Sequence, residues 1–158
     1  MSLTINTRIN GQAVSGSAEA SLSLLEFLRD TLEYKGTKLC CNTGECGACT
    51  VIYNGKPINS CVTMAADANG AEITTIEGLA EGDKLHPVQQ AFIDTGAVQC
   101  GYCTPGFIMS VKALLDRTQK PTAEDIEEAV SGNICRCTGY NKIVDAIQLA
   151  ADRIAGRA

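Results

Sequence analysis

Eight of the nine cysteines in this 158-residue chain sort by spacing into two sets of four. In the first set Cys41, Cys46 and Cys49 stand at C-x4-C-x2-C, and Cys61 follows after eleven intervening residues. The second set joins Cys100 and Cys103, in "QCGYCTPG", to Cys135 and Cys137, in "NICRCTGY". Thiolates are soft ligands and redox groups, so such sets suit a zinc ion, an iron–sulfur centre or a redox pair. A disulfide framework is the reading for a secreted chain, but an odd count leaves one thiol over. The amino-terminal "MSLTINTRIN" also alternates polar and apolar residues and lacks the apolar stretch of a signal peptide.

The spacing of the first set is that of the four thiolates around a [2Fe–2S] cluster in plant-type ferredoxins. Gly44 and Gly47 fit that chemistry. Positive φ at these positions lets backbone N–H groups approach the sulfurs, which stabilises a reduced cluster. A four-thiolate structural zinc site is the competing reading, although zinc sites more often repeat two short knuckles. In the second set a C-x2-C with a distant C-x-C is neither a zinc ribbon nor, lacking a βαβ pattern, a thioredoxin-like pair. Both pairs lie at predicted helix beginnings, where N–H groups and the dipole favour thiolates. On residues alone, iron–sulfur and zinc both stay open for this set. The single histidine, His86, excludes a Rieske centre, which needs two. It reads as a surface or capping residue.

The elements that must position these thiols fall into two halves. "LTINTRIN" alternates at period two into Asn10-Gly11, a favoured hairpin turn, and "QAVSGSA" can pair back. "SLSLLEFLRDTLEY" spaces Leu22, Leu25, Leu28 and Leu32 as a helix, with Ser21 as its N-cap. "CTVIYNGKPINSCV" predicts a second hairpin turning at Asn54-Gly55, and "AEITTI" a further strand. From Leu85 the pattern becomes helical. "HPVQQAFIDTG" ends at Gly96. "TPGFIMSVKALLDR" opens with Thr104 as cap and Pro105 at the first helical position. "PTAEDIEEAVSG" opens with Thr122 and Asp125 in a capping-box arrangement, and "NKIVDAIQLAADRIAG" carries Ile143, Ile147 and Ala150 on one face. The fold class is α+β, and the boundary falls in the polar "EGLAEGDKL".

Composition bounds the function. A net charge of −5 without a basic run argues against nucleic acid as a partner. No window approaches the apolar length of a membrane span. A cytoplasmic protein is expected.

"GECGACTV", "QCGYCTPG" and "NICRCTGY", in this order across almost the whole chain, resemble the small iron–sulfur subunit of the molybdenum hydroxylases. That family includes xanthine dehydrogenases, aldehyde oxidoreductases, aerobic carbon monoxide dehydrogenases and bacterial N-heterocycle dehydrogenases. The resemblance implies a plant-ferredoxin-like β-grasp domain over residues 1–78 and a four-helix bundle domain over 79–158, each with one [2Fe–2S] cluster. It implies that Cys41, Cys46, Cys49 and Cys61 hold the cluster nearer a flavin, and Cys100, Cys103, Cys135 and Cys137 the one nearest molybdenum. Gln99 matches a glutamine that hydrogen-bonds the pterin of the molybdenum cofactor, and Cys137 the ligand closest to that pterin. The implied partners are a large molybdenum-pterin subunit and a medium FAD subunit, in a dimer of heterotrimers. The implied function is electron transfer from molybdenum through both clusters to FAD.

One departure concerns Cys40, which stands where relatives commonly carry glycine; family spacing selects Cys41 as ligand and leaves Cys40 a buried, inert thiol. Tyr102 stands where many relatives have phenylalanine. No residue reads as catalytic: Glu124, Asp125, Glu127 and Glu128 form a solvated helix face. The substrate class that the resemblance implies, an aldehyde or an N-heterocycle, is not written in this chain, nor is carbon monoxide distinguished. A free-standing ferredoxin-like carrier would leave the second half unexplained. A zinc-stabilised interaction module would leave two unlike spacings and Gln99 unexplained.

Overall fold

The computed structural model describes residues 2–157. Its five strands form one mixed sheet in the order β2-β1-β5-β3-β4. Strands β1 (Ser2–Ile9) and β2 (Gln12–Glu19) make one antiparallel hairpin, β3 (Thr50–Tyr53) and β4 (Lys56–Asn59) a second. Strand β5 (Glu72–Thr74) lies between them, parallel to β1 and antiparallel to β3. Both hairpins turn at the expected Asn-Gly pairs. Asn10 and Gly11 have φ of 53° and 78°, Asn54 and Gly55 46° and 80°, the two left-handed residues that match the twist of the flanking strands.

The helix predicted from Ser21 begins later. Leu22 donates its N–H to the Glu19 carbonyl and accepts from Ala65 N–H, and Ser23 bridges Met64, so this stretch is held extended against residues 63–65. Helix α1 (Leu24–Glu26) therefore starts after Ser23, whose hydroxyl and the Glu26 carboxylate cap one another. Such a cap contributes about 1 kcal/mol. The chain then widens into a π-type turn over Phe27–Thr31. Leu24, Leu25, Phe27 and Leu28 are all buried.

Four helices follow: α2 (Pro87–Asp94), α3 (Thr104–Arg117), α4 (Ala123–Val130) and α5 (Asn141–Ile154). Helix α2 packs on α5 and α3, and α3 on α4. Thr122 and Asp125 form the predicted capping box of α4. Thr104 is not a cap. It is the first helical residue of α3, Cys103 occupies the N-cap without a side-chain bond, and Pro105 is second, where a missing N–H costs nothing.

Two apolar cores result. Ile5, Ile9, Leu24, Phe27, Leu28, Val51 and Ile73 fill the one between sheet and α1. Phe92, Phe107, Met109, Leu114, Ile143 and Ile147 fill the one among the helices. Strand β3 serves both. Its alternate residues point to opposite faces, so Val51 joins the first core and Ile52 the second, beneath α3.

His86 is the N-cap of α2, as a capping residue should be: its Nδ1 accepts from Val88 N–H at 3.3 Å, and Gln89 returns a bond to His86 N–H. Burial, aided by the nearby Lys112 ammonium, holds its pKa below the ordinary 6.5. The folded state thus disfavours the protonated ring. Above pH 6.5 both folded and unfolded His86 are neutral and the cap is intact. As pH falls below 6.5 the unfolded chain binds the proton first, and stability declines until the folded ring protonates too. Urea midpoints measured across this range should fall with acid, and His86→Asn, which retains a capping acceptor, should flatten that part of the profile.

Candidate iron–sulfur sites

The first set is assembled by a loop and a hairpin. Pairing of Thr50 with Asn59 across β3 and β4 sets Cys49, just before β3, beside the 3₁₀ turn Ser60–Val62 that carries Cys61. The Ser60 hydroxyl donates to the Cys49 carbonyl at 2.7 Å and fixes that contact. Cys41 and Cys46 come from the loop before β3, which folds back through Gly44 and Gly47 at φ of 82° and 66°. Asn59 donates to the Gly44 carbonyl at 2.6 Å and ties the loop to the hairpin.

Backbone donors face the sulfurs here, as the glycines imply. Thr43 N–H and Cys46 N–H each reach Cys41 Sγ at 3.4 Å. With the Thr43 side chain adding its own bond first among them, these donors pull the Cys41 thiol down to about 5. Cys61 is pushed the other way, to about 12, by burial and then by its bond with Cys49. Cys41 therefore enters as a thiolate near neutrality, whereas Cys61 must lose its proton when a metal binds.

The second set draws on two loops. Cys100 lies in the turn after α2, Cys103 caps α3, and Cys135 and Cys137 lie between α4 and α5. Only Cys103 stands at a helix N-terminus; Cys135 and Cys137 precede Tyr140, the N-cap of α5, by several residues. Their donors are local instead. Thr138 offers its N–H at 3.4 Å and its hydroxyl at 3.1 Å to Cys135 Sγ. Burial is the largest single influence on that thiol and raises it, but the Thr138 bonds together with those from Cys137 and Cys103 bring it down to about 7. Tyr140, at φ of 70°, accepts Cys135 N–H on its hydroxyl at 3.1 Å while its ring packs edge-on against Phe107. Burial raises Cys103 to about 12. Gln99 is exposed directly before Cys100.

All eight sulfurs meet in pairs. Cys137 Sγ lies 3.6 Å from Cys100 Sγ. Cys103 bonds Cys135, Cys49 bonds Cys61, and Cys41 bonds Cys46. Two thiolates on one tetrahedral ion, with bonds of about 2.3 Å, stand about 3.8 Å apart. At 3.6 Å the Cys100–Cys137 pair is spaced to share one metal, and each of the other six thiols lies beside one partner. Between pairs of a set only electrostatic influence carries, Cys41 on Cys61 and Cys100 on Cys103. Among the described residues no three such side chains converge on a single ion. Two thiol pairs in each set suit a binuclear cluster, in which each iron takes two thiolates.

Asn133, Ser110, Thr138 and Tyr140 were not legible as site residues from spacing, since none carries a thiol. Cys40 corrects an expectation: it is exposed and not buried. Its neighbour Leu39 is exposed too, with its carbonyl accepting the Tyr102 hydroxyl.

Two family models match in tandem, a 2Fe-2S iron-sulfur cluster binding domain over residues 7–77 and a [2Fe-2S] binding domain over 75–148. The chain is a protein of two [2Fe–2S]-binding units. It is 50% identical over 153 residues to the nicotinate dehydrogenase small FeS subunit of Eubacterium barkeri, covering 97% of this chain and 98% of that one. To the aldehyde oxidoreductase iron-sulfur-binding subunit of Escherichia coli K12 it is 44% identical, covering 96% and 73%. Quinoline 2-oxidoreductase from Pseudomonas putida 86 superposes with a TM-score of 0.92 at 38% identity, over 99% of both chains. The aldehyde oxidoreductase of Desulfovibrio desulfuricans does so at 0.94 and 43%, covering 98% of this chain but 17% of that longer one. The chain belongs to the small iron–sulfur subunits of the molybdenum hydroxylases, and so to an oxidoreductase complex. No helix among the described residues is long and apolar enough to cross a membrane.

The adjacent thiols make the register testable. Cys41→Ser should lose or badly weaken iron at the first set, because serine oxygen replaces a thiolate poorly. Cys40→Ala, which removes an exposed group, should retain all iron. Iron and sulfide assays on both purified variants decide it, and the opposite pattern would shift the register by one residue.

Proposed function

We propose that this chain carries electrons between a molybdenum-pterin subunit and an FAD subunit, through two [2Fe–2S] clusters held by its two cysteine sets. The observation that carries the reading is the pairing of the eight thiols, Cys100 with Cys137 at 3.6 Å and each of the others beside one partner. When bound, a [2Fe–2S] cluster supplies a one-electron carrier. Cys41 with Cys46, and Cys49 with Cys61, would hold the first; Cys100 with Cys137, and Cys103 with Cys135, the second. The chain's own groups do the rest. N–H donors from Thr43 and Cys46 and the Thr138 hydroxyl stabilise negative charge on sulfur, which favours the reduced state. Burial of Cys49, Cys61 and Cys135 keeps water from the inner side of each set.

We assign residues 1–78 to a ferredoxin-type β-grasp domain and 79–158 to a four-helix bundle domain, the two cores supporting that division. Met1 and Ala158 lie outside the described residues. The exposed Cys100–Cys137 edge, with Gln99 beside it, faces the molybdenum-pterin subunit, and the Cys41 edge faces the flavin. Exposed Val98 and Tyr102 next to the one, and Val62 and Met64 next to the other, suit surfaces covered in a complex, a dimer of heterotrimers. Nicotinate and quinoline in the relatives' names support an N-heterocycle as the substrate hydroxylated by the complex, with an aldehyde as the second reading. The compartment is the cytoplasm.

The purified complex should contain about four iron and about four acid-labile sulfide per small chain, and its reduced form two distinct paramagnetic signals. Half that iron with one signal, or zinc in its place, would overturn the assignment.

Gln99→Ala tests the orientation. It removes one neutral hydrogen bond to the pterin, on the order of 1 kcal/mol, so turnover should drop severalfold at unchanged iron content. Rapid mixing with substrate should show molybdenum reduction or the step directly after it slowed. Slower early electron arrival in a Glu45→Ala variant of the first cysteine loop, with a normal Gln99 variant, would reverse the order of the two clusters.

A further inference from the structure

The loops bearing Cys46 and Cys135 are joined by a backbone hydrogen bond. Ile134, the residue before Cys135, donates its N–H to the Cys46 carbonyl at 2.9 Å. One ligand of each set is thereby joined through a single hydrogen bond and a short run of backbone. Beside this bond sits Asn133, only 5% exposed. Its Nδ2 donates to the Gly47 carbonyl at 3.0 Å, and its Oδ1 accepts the Ser110 hydroxyl of α3 at 2.7 Å. The carboxamide so ties three segments: the first cysteine loop, the second cysteine loop and the helix that Cys103 caps. The fit is tight. A Cβ on Gly47 would stand 2.4 Å from Asn133 Nδ2 and 2.3 Å from the Gly132 carbonyl.

Burying a primary amide is costly unless its groups are bonded, and a hydrophobic side chain of like size would fill the space at no such cost. Asn133 has no part in either thiol set, and Gly47 O already accepts from Thr50 N–H and hydroxyl, so no orphaned carbonyl requires it. What the amide adds is registration of one loop on the other.

We propose that Asn133 is a positioning residue for electron exchange between the two clusters, holding Ile134 N–H on the Cys46 carbonyl by fastening Gly47 to Ser110. The exchange moves one electron from a reduced cluster to an oxidised one, with no bond formed or broken and no proton transferred by Asn133. Its efficiency depends on the separation and coupling of the two thiol sets, which this clamp sets. The inference rests on the two-cluster reading above.

The experiment uses the intact complex with Asn133→Leu, Asn133→Asp and Ser110→Ala in the small chain. Leucine matches the volume without polar groups; aspartate accepts from Ser110 but cannot donate to Gly47. Wild-type iron content is measured first: a count short of two clusters overturns the two-cluster reading and this inference with it, whereas a defect confined to the variants bears on Asn133 alone. In loaded variants we expect the magnetic splitting between the two reduced centres to narrow, and electron redistribution between them after a reducing flash to slow severalfold. Amide exchange at Ile134 should quicken by about fivefold, equivalent to about 1 kcal/mol. Loaded Asn133 variants with wild-type splitting and redistribution would show that the residue merely fills space. If the Asn133 variants lose iron, Ser110→Ala decides: slowed redistribution supports the clamp, and an unchanged rate overturns it.

Discussion

The Gly47 carbonyl is a point of tight contact between the two halves of the chain, and the cysteine loop and the start of α3 are built around admitting it. Thr50 donates to it twice and Asn133 once. A Cβ placed on Gly106 of α3 would stand 2.1 Å from it, a distance that no side chain tolerates. Glycine at 106 thus lets the start of α3 lie directly on the cysteine loop, and glycine at 47 lets that loop turn at positive φ under residue 132. Cys103 and Cys49 each sit three residues or fewer from this crossing. The positions of two ligands, one from each set, follow from a single backbone contact that only small residues permit.

Around that contact, hydrogen bonding and burial act on the sulfurs in opposite directions. Outward thiols such as Cys41 meet backbone and hydroxyl donors and are held toward the thiolate. Inward thiols such as Cys61 and Cys103 are desolvated and held toward the thiol. A metal that displaces their protons recovers the desolvation penalty by supplying positive charge at the same place. Each set is then a polar rim on an apolar floor. The floor is supplied by elements whose first role is packing, β3 and α3.

Much of this was legible in the sequence because the signals were local. The two Asn-Gly turns, the Thr122–Asp125 capping box and the spacing of eight cysteines each need only a few neighbouring residues to be read. The misreadings were of another kind. Ser21 loses to Ser23 as the cap of α1 because residues 22–23 are pulled straight by a strand-like contact some forty residues away. Cys40 is exposed in a loop whose neighbour Leu39 bonds Tyr102, a contact between segments far apart in sequence that spacing does not reveal. Cys135 takes its donors from Thr138 and not from a helix end, since α5 begins later than the cysteines. Asn133 had no periodicity or spacing to betray it; only the fold shows that it spans two loops.

Strand β3 lends Val51 to one core and Ile52 to the other. Two family models divide the chain near residue 76, which invites the picture of two interchangeable modules. The packing opposes it. Cut away from the helices, the first half would present Ile52 and the buried Thr50 on a bare sheet face, next to an unpaired β4 edge, a surface prone to self-association. Grafted onto a different partner, it would also need a glycine in the place of Gly106 to accept its loop. The boundary that is easy to draw along the chain is therefore not a seam along which the folded molecule can be parted, and recombination between distant relatives would have to carry both sides of it together.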